Sequence, residues 1–351
     1  MIVMIDFFPP PSFRRLPGLP RRGGFSLLEI LVAVGVLSLI LVICLGLTNQ
    51  FSIVISRSNE LAGVYREGNS ALTLIASHLR QAALDSRPVL VNAAGQRVLE
   101  QKPDKQMLWS DLMLICGPEK TLFPGQTQVY SHAIFFQALM GDVTRGRSGQ
   151  ALNEIGYFLD YNDGNPPKFV SNPGNRLRLM QYRRRPGTTT VQQIVRAARS
   201  GTGDRRDWYL SPVVGQTDVQ PVANNILALI IVPKLKEGTG PVDMKTNGRE
   251  WSTFSDYFFD SQASGPWQHR LPAMLEITLI VGSKESLNRY AAKNPQTKFD
   301  FGQSTLFSSL TTADDEYQEK IDNFSQELDS NGIYHRVFTT TVRFETGGNP
   351  L

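Results

Sequence analysis

A chain of 351 residues is long enough for one or two domains with a sizeable core. Its formal net charge is +4, but Arg14, Arg15, Arg21 and Arg22 against Asp6 put +3 in residues 1–24, leaving +1 for the rest, so the basic balance does not point to nucleic acid. The two cysteines, Cys44 and Cys116, exclude a disulfide framework, and the four scattered histidines show no metal-ligand spacing.

Residues 1–24 carry Pro9-Pro10-Pro11, Pro17 and Pro20, which do not fit inside a regular helix. They read as an unstructured basic leader that is removed. From Phe25 to Leu47 the only charge is Glu29. As a helix this run is roughly 35 Å long, enough to cross a hydrocarbon core of about 30 Å. It is too long for a secretory signal, whose apolar region is roughly 7–15 residues, and Thr48-Asn49-Gln50-Phe51 offers no small-residue cleavage site. Arginines before the span place the N-terminus in the cytoplasm, with everything after Leu47 outside the inner membrane. Glu29 then needs a reason, since a carboxylate inside a span is costly and marks a function. Its natural partner is the α-amine made by a cut between Gly24 and Phe25.

The helical pattern continues beyond the span. Leu61, Tyr65, Gly68, Leu72, Ile75, Leu79 and Ala82 follow at alternating steps of four and three, a single seam on one side of a helix. Ala71, Leu74, Ala76 and Ala83 widen it, so a sheet can cover it. Gly68 weakens the helix by about 1 kcal/mol relative to Ala and marks a bend or a close contact. Pro88 sets the helix end near Ser86. Residues 25–47 are thus the transmembrane half of one helix and 48–86 its periplasmic amphipathic half. Three heptads are too few to argue for a coiled coil.

Residues 87–351 read as an antiparallel β-rich periplasmic domain. Strands are predicted at Leu112–Cys116, Tyr130–Gln137, Glu154–Tyr161, Arg176–Arg184, Ile226–Lys234, Met274–Gly282 and Val337–Phe344. Leu177, Leu179 and Gln181 alternate with Arg176, Arg178 and Met180, as in a half-buried strand. Ile226–Val232 is apolar on both faces and reads as a central, covered strand. Short strands without helices of crossover length between them indicate antiparallel pairing and an α+β fold.

Gly24, Phe25 and Glu29, with about twenty apolar residues following, resemble the type IV pilin-like proteins, which include the pseudopilins of type II secretion. That resemblance implies cleavage between Gly24 and Phe25 by a prepilin peptidase and an N-methyl group on Phe25. It also implies an assembly role for Glu29, which pairs with the Phe25 amine of a neighbouring subunit and fixes axial register. A glycine on the leader side leaves the scissile peptide unshielded. Tyr157-Phe158-Leu159, the Leu177–Arg185 strand, residues 226–232, Leu271–Ile277 and the helical Leu74–Ala82 are similar in order to the J-type minor pseudopilins and the W-type minor pilins. A C-type protein of the verrucomicrobial pilin-like cassettes is a further resemblance. The chain departs from these families in its extra segments around 87–150, 186–220 and 283–333. Retention of Glu29 argues against the K-type tip subunit.

What the resemblance implies is a long N-terminal helix packed on antiparallel sheet, pilin-like with large insertions. The implied role is a structural minor subunit of a periplasmic fibre for type II secretion-like export. Its implied partners are the prepilin peptidase, other pseudopilins or minor pilins, and the inner-membrane assembly platform. The alternatives are a minor type IV pilin, serving pilus biogenesis or DNA uptake, and a membrane-anchored periplasmic binding protein that never polymerises.

No catalytic residue, cofactor or metal is expected: H-E-x-x-H, G-x-S-x-G, a P-loop and paired-cysteine patterns are all missing from the sequence. Asp160-Tyr161-Asn162-Asp163-Gly164-Asn165 lacks the ligand spacing of an EF-hand loop and reads as a turn between strands. Nine arginines in residues 176–206 and the acidic run from Asp314 to Asp329 read as solvated faces or as surfaces that set register between neighbouring subunits. Nucleic acid is not expected, since no regular aromatic interleaving accompanies the arginines.

Overall fold

The apolar run is helical, α1 spanning Leu27–Leu79. The computed structural model describes residues 26–84, 87–93, 104–126, 129–142, 149–161, 177–184, 206–215, 217–236, 245–246, 251–254, 256–265, 267–294, 301–309 and 314–344. The chain divides into two units, residues 1–57 and 58–351. In the first, every described residue is solvent-exposed. Three of its hydroxyls bond back to the helix itself, Ser38 and Ser52 donating to the carbonyls of Val34 and Thr48, and Thr48 to that of Cys44. This is how polar side chains are tolerated in an apolar helix. Among the described residues, α1 alone is long and apolar enough to cross a membrane.

The second unit continues with β1 (Arg87–Val91), β2 (Lys105–Trp109), β3 (Leu114–Pro118), α2 (Glu119–Leu122), β4 (His132–Asp142), β5 (Gly149–Tyr161) and β6 (Leu177–Arg184). Next come α3 (Asp207–Val214), β7 (Val219–Asn224), β8 (Ile226–Lys236), β9 (Lys245–Thr246), β10 (Trp251–Thr253) and β11 (Phe259–Asp260). It closes with β12 (Met274–Gly282), α4 (Lys284–Lys293), α5 (Gln303–Leu306), α6 (Asp314–Ser330) and β13 (His335–Arg343). One sheet has the order β11-β3-β4-β5-β6-β7, a second β13-β12-β8-β10-β9, and β1-β2 form a third. Every described pairing is antiparallel. The chain crosses from β7 to β8 through Asn225, whose φ of 59° is the left-handed conformation that asparagine tolerates.

The main core unites α1, both large sheets and α6. From α1 it takes Val64, Ala71, Leu72, Ile75, Ala76 and Leu79. The predicted seam is therefore right from Gly68 onward but begins at Val64. Tyr65 is instead 46% exposed, its ring packed perpendicular to that of Phe338. The helix ends seven residues before the expected Ser86. Gln81–Ala83 instead join the six-stranded sheet: Ala82 bridges Ala138, the Ala83 N–H donates to the Gln137 carbonyl (2.9 Å), and the Leu139 N–H donates to the Gln81 carbonyl (3.2 Å). Sheet bonds there replace the helical ones.

All seven predicted strands are present, most with ends shifted by a few residues. The expected alternation in β6 fails, because Met180 and Tyr182 are buried along with Leu177, Leu179 and Gln181. The cause is a second apolar cluster on the other face of that sheet. There Phe135, Phe158, Met180 and Tyr182 are covered by α2 and α3, with Phe135 stacked on Tyr209 at 4.1 Å. Gly156 makes room for the Phe135 ring, which a Cβ would meet at 2.2 Å.

Candidate functional site

Gly24 and Phe25 lie outside the described residues, which begin at Ser26. Glu29 sits in the first turn of α1 and is engaged there. Its Oε2 accepts from the Ser26 N–H (3.0 Å), while its own N–H donates to Ser26 Oγ (3.2 Å). This reciprocal pair is a capping box, with Ser26 as N-cap and Glu29 at the third helical position. It satisfies donors that a helix start otherwise leaves open, and it puts an anion where the helix dipole favours one. The Ser26-x-x-Glu29 spacing is the readable signal for this role, which a reading of Glu29 as an isolated charge overlooks. A carboxylate has about four acceptor positions, so a cap does not preclude an ammonium partner.

Further along α1, polar contacts tie the helix to the six-stranded sheet and to the start of α4. Tyr157 Oη lies 2.6 Å from His78 Nδ1, and Gln181 Nε2 donates to that hydroxyl (2.9 Å) while its own side-chain oxygen accepts from Gln220 (2.9 Å). A neutral His78 ring whose Nδ1 accepts the Tyr157 proton satisfies both contacts of that hydroxyl. Burial, with Arg183 nearby, lowers the His78 pKa in the same sense. Glu67 accepts from the backbone and side chain of Asn224, and Glu60 from Ser283 at the start of α4.

Two ionisable groups inside the domain brace the strands. Glu119, fully buried, accepts from the Tyr130 N–H (2.6 Å) and the Leu159 N–H (2.8 Å), one on each oxygen. Burial pushes its carboxyl up to about 8 despite those bonds. His132 stands in for a strand beside β8: Nδ1 accepts from the Ile231 N–H (3.0 Å) and Nε2–H donates to the Phe307 carbonyl (2.7 Å). Burial lowers its pKa to about 4, so the ring is neutral.

Among the described residues, no group of three or more His, Cys, Asp or Glu is placed to hold a metal. Asp160 accepts from the Tyr161 N–H, and Asn162–Asn165 fall outside the described residues. Of the nine arginines, Arg178, Arg183, Arg184 and Arg206 are described, and the first three belong to or end β6. In the acidic run, Glu319, Asp322, Glu327 and Asp329 line the exposed side of α6, while Tyr317, Ile321, Phe324 and Leu328 enter the core.

The family model of the prokaryotic N-terminal methylation motif matches residues 19–45. No curated protein and no solved structure matches the chain significantly. The matched motif implies processing by a prepilin peptidase and association with a membrane. Placed on an apolar helix, it marks a membrane-anchored protein with a type IV pilin-like, prepilin-type N-terminus.

Proposed function

We propose that the chain is a minor pseudopilin-like subunit. It inserts in the bacterial inner membrane with its N-terminus cytoplasmic, is cut between Gly24 and Phe25, and assembles into a periplasmic fibre serving type II secretion-like export. Its role is structural rather than catalytic. The observation that carries this reading is Glu29: one acid at the start of the otherwise uncharged apolar run 25–47, within the methylation motif. An unpaired charge in a spanning helix costs about 3 kcal/mol on insertion scales. Pairing with the Phe25 amine of a neighbour offsets part of that and sets the axial step. The antiparallel domain after residue 58 then selects neighbours.

Detergent-extracted fibres from cells expressing the full chain with its own assembly genes provide the test. The protein should co-purify with the other fibre subunits, and Glu29→Leu should be processed normally yet missing from the fibre. A chain that is membrane-anchored but never enters a fibre would mean a monotopic envelope protein instead.

A further inference from the structure

Proline at position 212 creates a vacancy in α3. In a regular helix the Trp208 carbonyl accepts from the N–H four residues on, and Pro212 has none. The group that fills the vacancy comes from the sheet beneath. The Tyr182 hydroxyl on β6 lies 2.9 Å from the Trp208 carbonyl oxygen, inside the outer apolar cluster. The same hydroxyl lies 2.8 Å from Glu154 Oε2 on β5.

A phenol has one proton. Here two oxygens, a carbonyl and a carboxyl, sit within hydrogen-bond distance of it. The carbonyl can only accept, so the phenol donates to Trp208, and both contacts are satisfied only when Glu154 carries a proton and donates it to Tyr182. Two further observations agree. Glu154 is 1% exposed and its Oε1 is buried without a hydrogen-bond partner, a poor setting for an ion. Burial also pushes its carboxyl up to about 7, against the pull of Tyr182 and Arg184 and with a push from Asp218.

We propose that Glu154, Tyr182 and the Trp208 carbonyl form a proton-operated latch, in which a proton on Glu154 fastens the start of α3 to the six-stranded sheet and its loss releases that turn. When Glu154 ionises, the phenol proton turns to the carboxylate, the stronger acceptor. The Trp208 carbonyl is then left buried with no donor, and opening toward water relieves it. The charges around Glu154 modulate this step. Arg184 is its cross-strand neighbour on β6, and Asp218 lies in the turn before β7, 3.9 Å from Arg184. The neighbour on β4 is the uncharged Gln137, and on α3 Asp207 is exposed. Phe135 against Tyr209, and Trp208 Nε1–H against Met113 Sδ, hold the rest of α3 irrespective of pH.

Hydrogen exchange of the α3 amides in the full chain, solubilised in detergent micelles and corrected for intrinsic rates, tests the latch. Taking the Glu154 carboxyl from its ordinary range in the released state to about 7 in the latched one, protection should fall roughly thirtyfold between about pH 5.5 and about pH 8.5. Glu154→Gln supplies a permanent donor to Tyr182, so the change should shrink to less than about threefold. Tyr182→Phe leaves Trp208 without a donor, so exchange should be fast at both pH values. Equal wild-type protection at the two pH values overturns the proposal by itself, whether or not the variants fold. So does a Glu154→Gln protein that keeps the full wild-type response.

Discussion

Gly68 of α1 and Phe338 of β13 share one volume: a Cβ on Gly68 would lie 2.5 Å from Phe338 Cε2. Tyr65, one turn earlier, meets the same ring edge-on with centroids 5.5 Å apart. The glycine is therefore the notch through which the helix approaches the five-stranded sheet. On propensity alone Gly68→Ala would stabilise the helix by about 1 kcal/mol. Here the clash should dominate, with a net loss of about 1–3 kcal/mol, the usual range for overpacking. Thermal unfolding in micelles should show the lower midpoint, and adding Phe338→Leu should recover much of it.

Glu119 is used as a double acceptor, so its replacements should rank by acceptor count. Glu119→Gln turns an NH₂ toward a backbone N–H, and Glu119→Leu leaves the Tyr130 and Leu159 donors with nothing. Each lost buried partner costs about 1–3 kcal/mol. Leu should therefore be worse than Gln, and both worse than wild type, in denaturant titrations near pH 6. Because the folded carboxyl titrates near 8 and the unfolded one near 4.5, the unfolded state sheds its proton first as pH rises. The stability linked to Glu119 is full below about pH 4.5 and is lost as pH climbs toward about 8. Glu119→Gln should flatten that part of the curve.

His132 works in the opposite direction. Its folded pKa, lowered to about 4 from 6.5, makes the unfolded state the first to take up a proton. Stability linked to His132 is complete above about pH 6.5 and falls by about 3 kcal/mol as pH drops to about 4. His132→Ala should remove this acid limb. It should also destabilise the protein by roughly 2–5 kcal/mol at neutral pH, since the Ile231 N–H and Phe307 carbonyl lose their partners. Denaturant midpoints at several pH values would separate the two effects.

How much of the fold is legible in the sequence depends on the range of the interactions. The strands from β3 to β6, β8, β12 and β13 follow from their own apolar patterns. So does the Gly68 contact, because a glycine within a helical seam weakens the helix unless something packs closely against it. Val64 displaces Tyr65 in the core because Phe338 arrives from β13, near the far end of the chain, which local spacing does not register. The early helix end at Leu79 is hidden for the same reason, since Ala82 is claimed by Ala138 on a distant strand. In α6, Tyr317, Ile321, Phe324 and Leu328 do have helical spacing, but the density of acids between them masks it. At the N-terminus, Ser26-Leu27-Leu28-Glu29 spells out its cap plainly, and the cost of a charge in a spanning helix overshadows it.

The two roles of Glu29, cap and register charge, come apart by substitution. Glutamine serves in a capping box as glutamate does, so Glu29→Gln should keep the helix start while losing the charge. Leucine loses the charge and the carboxylate half of the box, while the Ser26 Oγ bond to the backbone N–H at position 29 survives. If the charge sets register, both variants should be cleaved yet fail to enter fibres. Normal incorporation of Glu29→Gln would assign the residue to capping alone.

Mass spectrometry of the chain's N-terminus, from cells with and without an active prepilin peptidase, addresses the central claim most directly. The account predicts a mature chain beginning at N-methylated Phe25 when the peptidase is active and an intact leader when it is not. A leader retained in both strains, or a cut elsewhere than between Gly24 and Phe25, would contradict it.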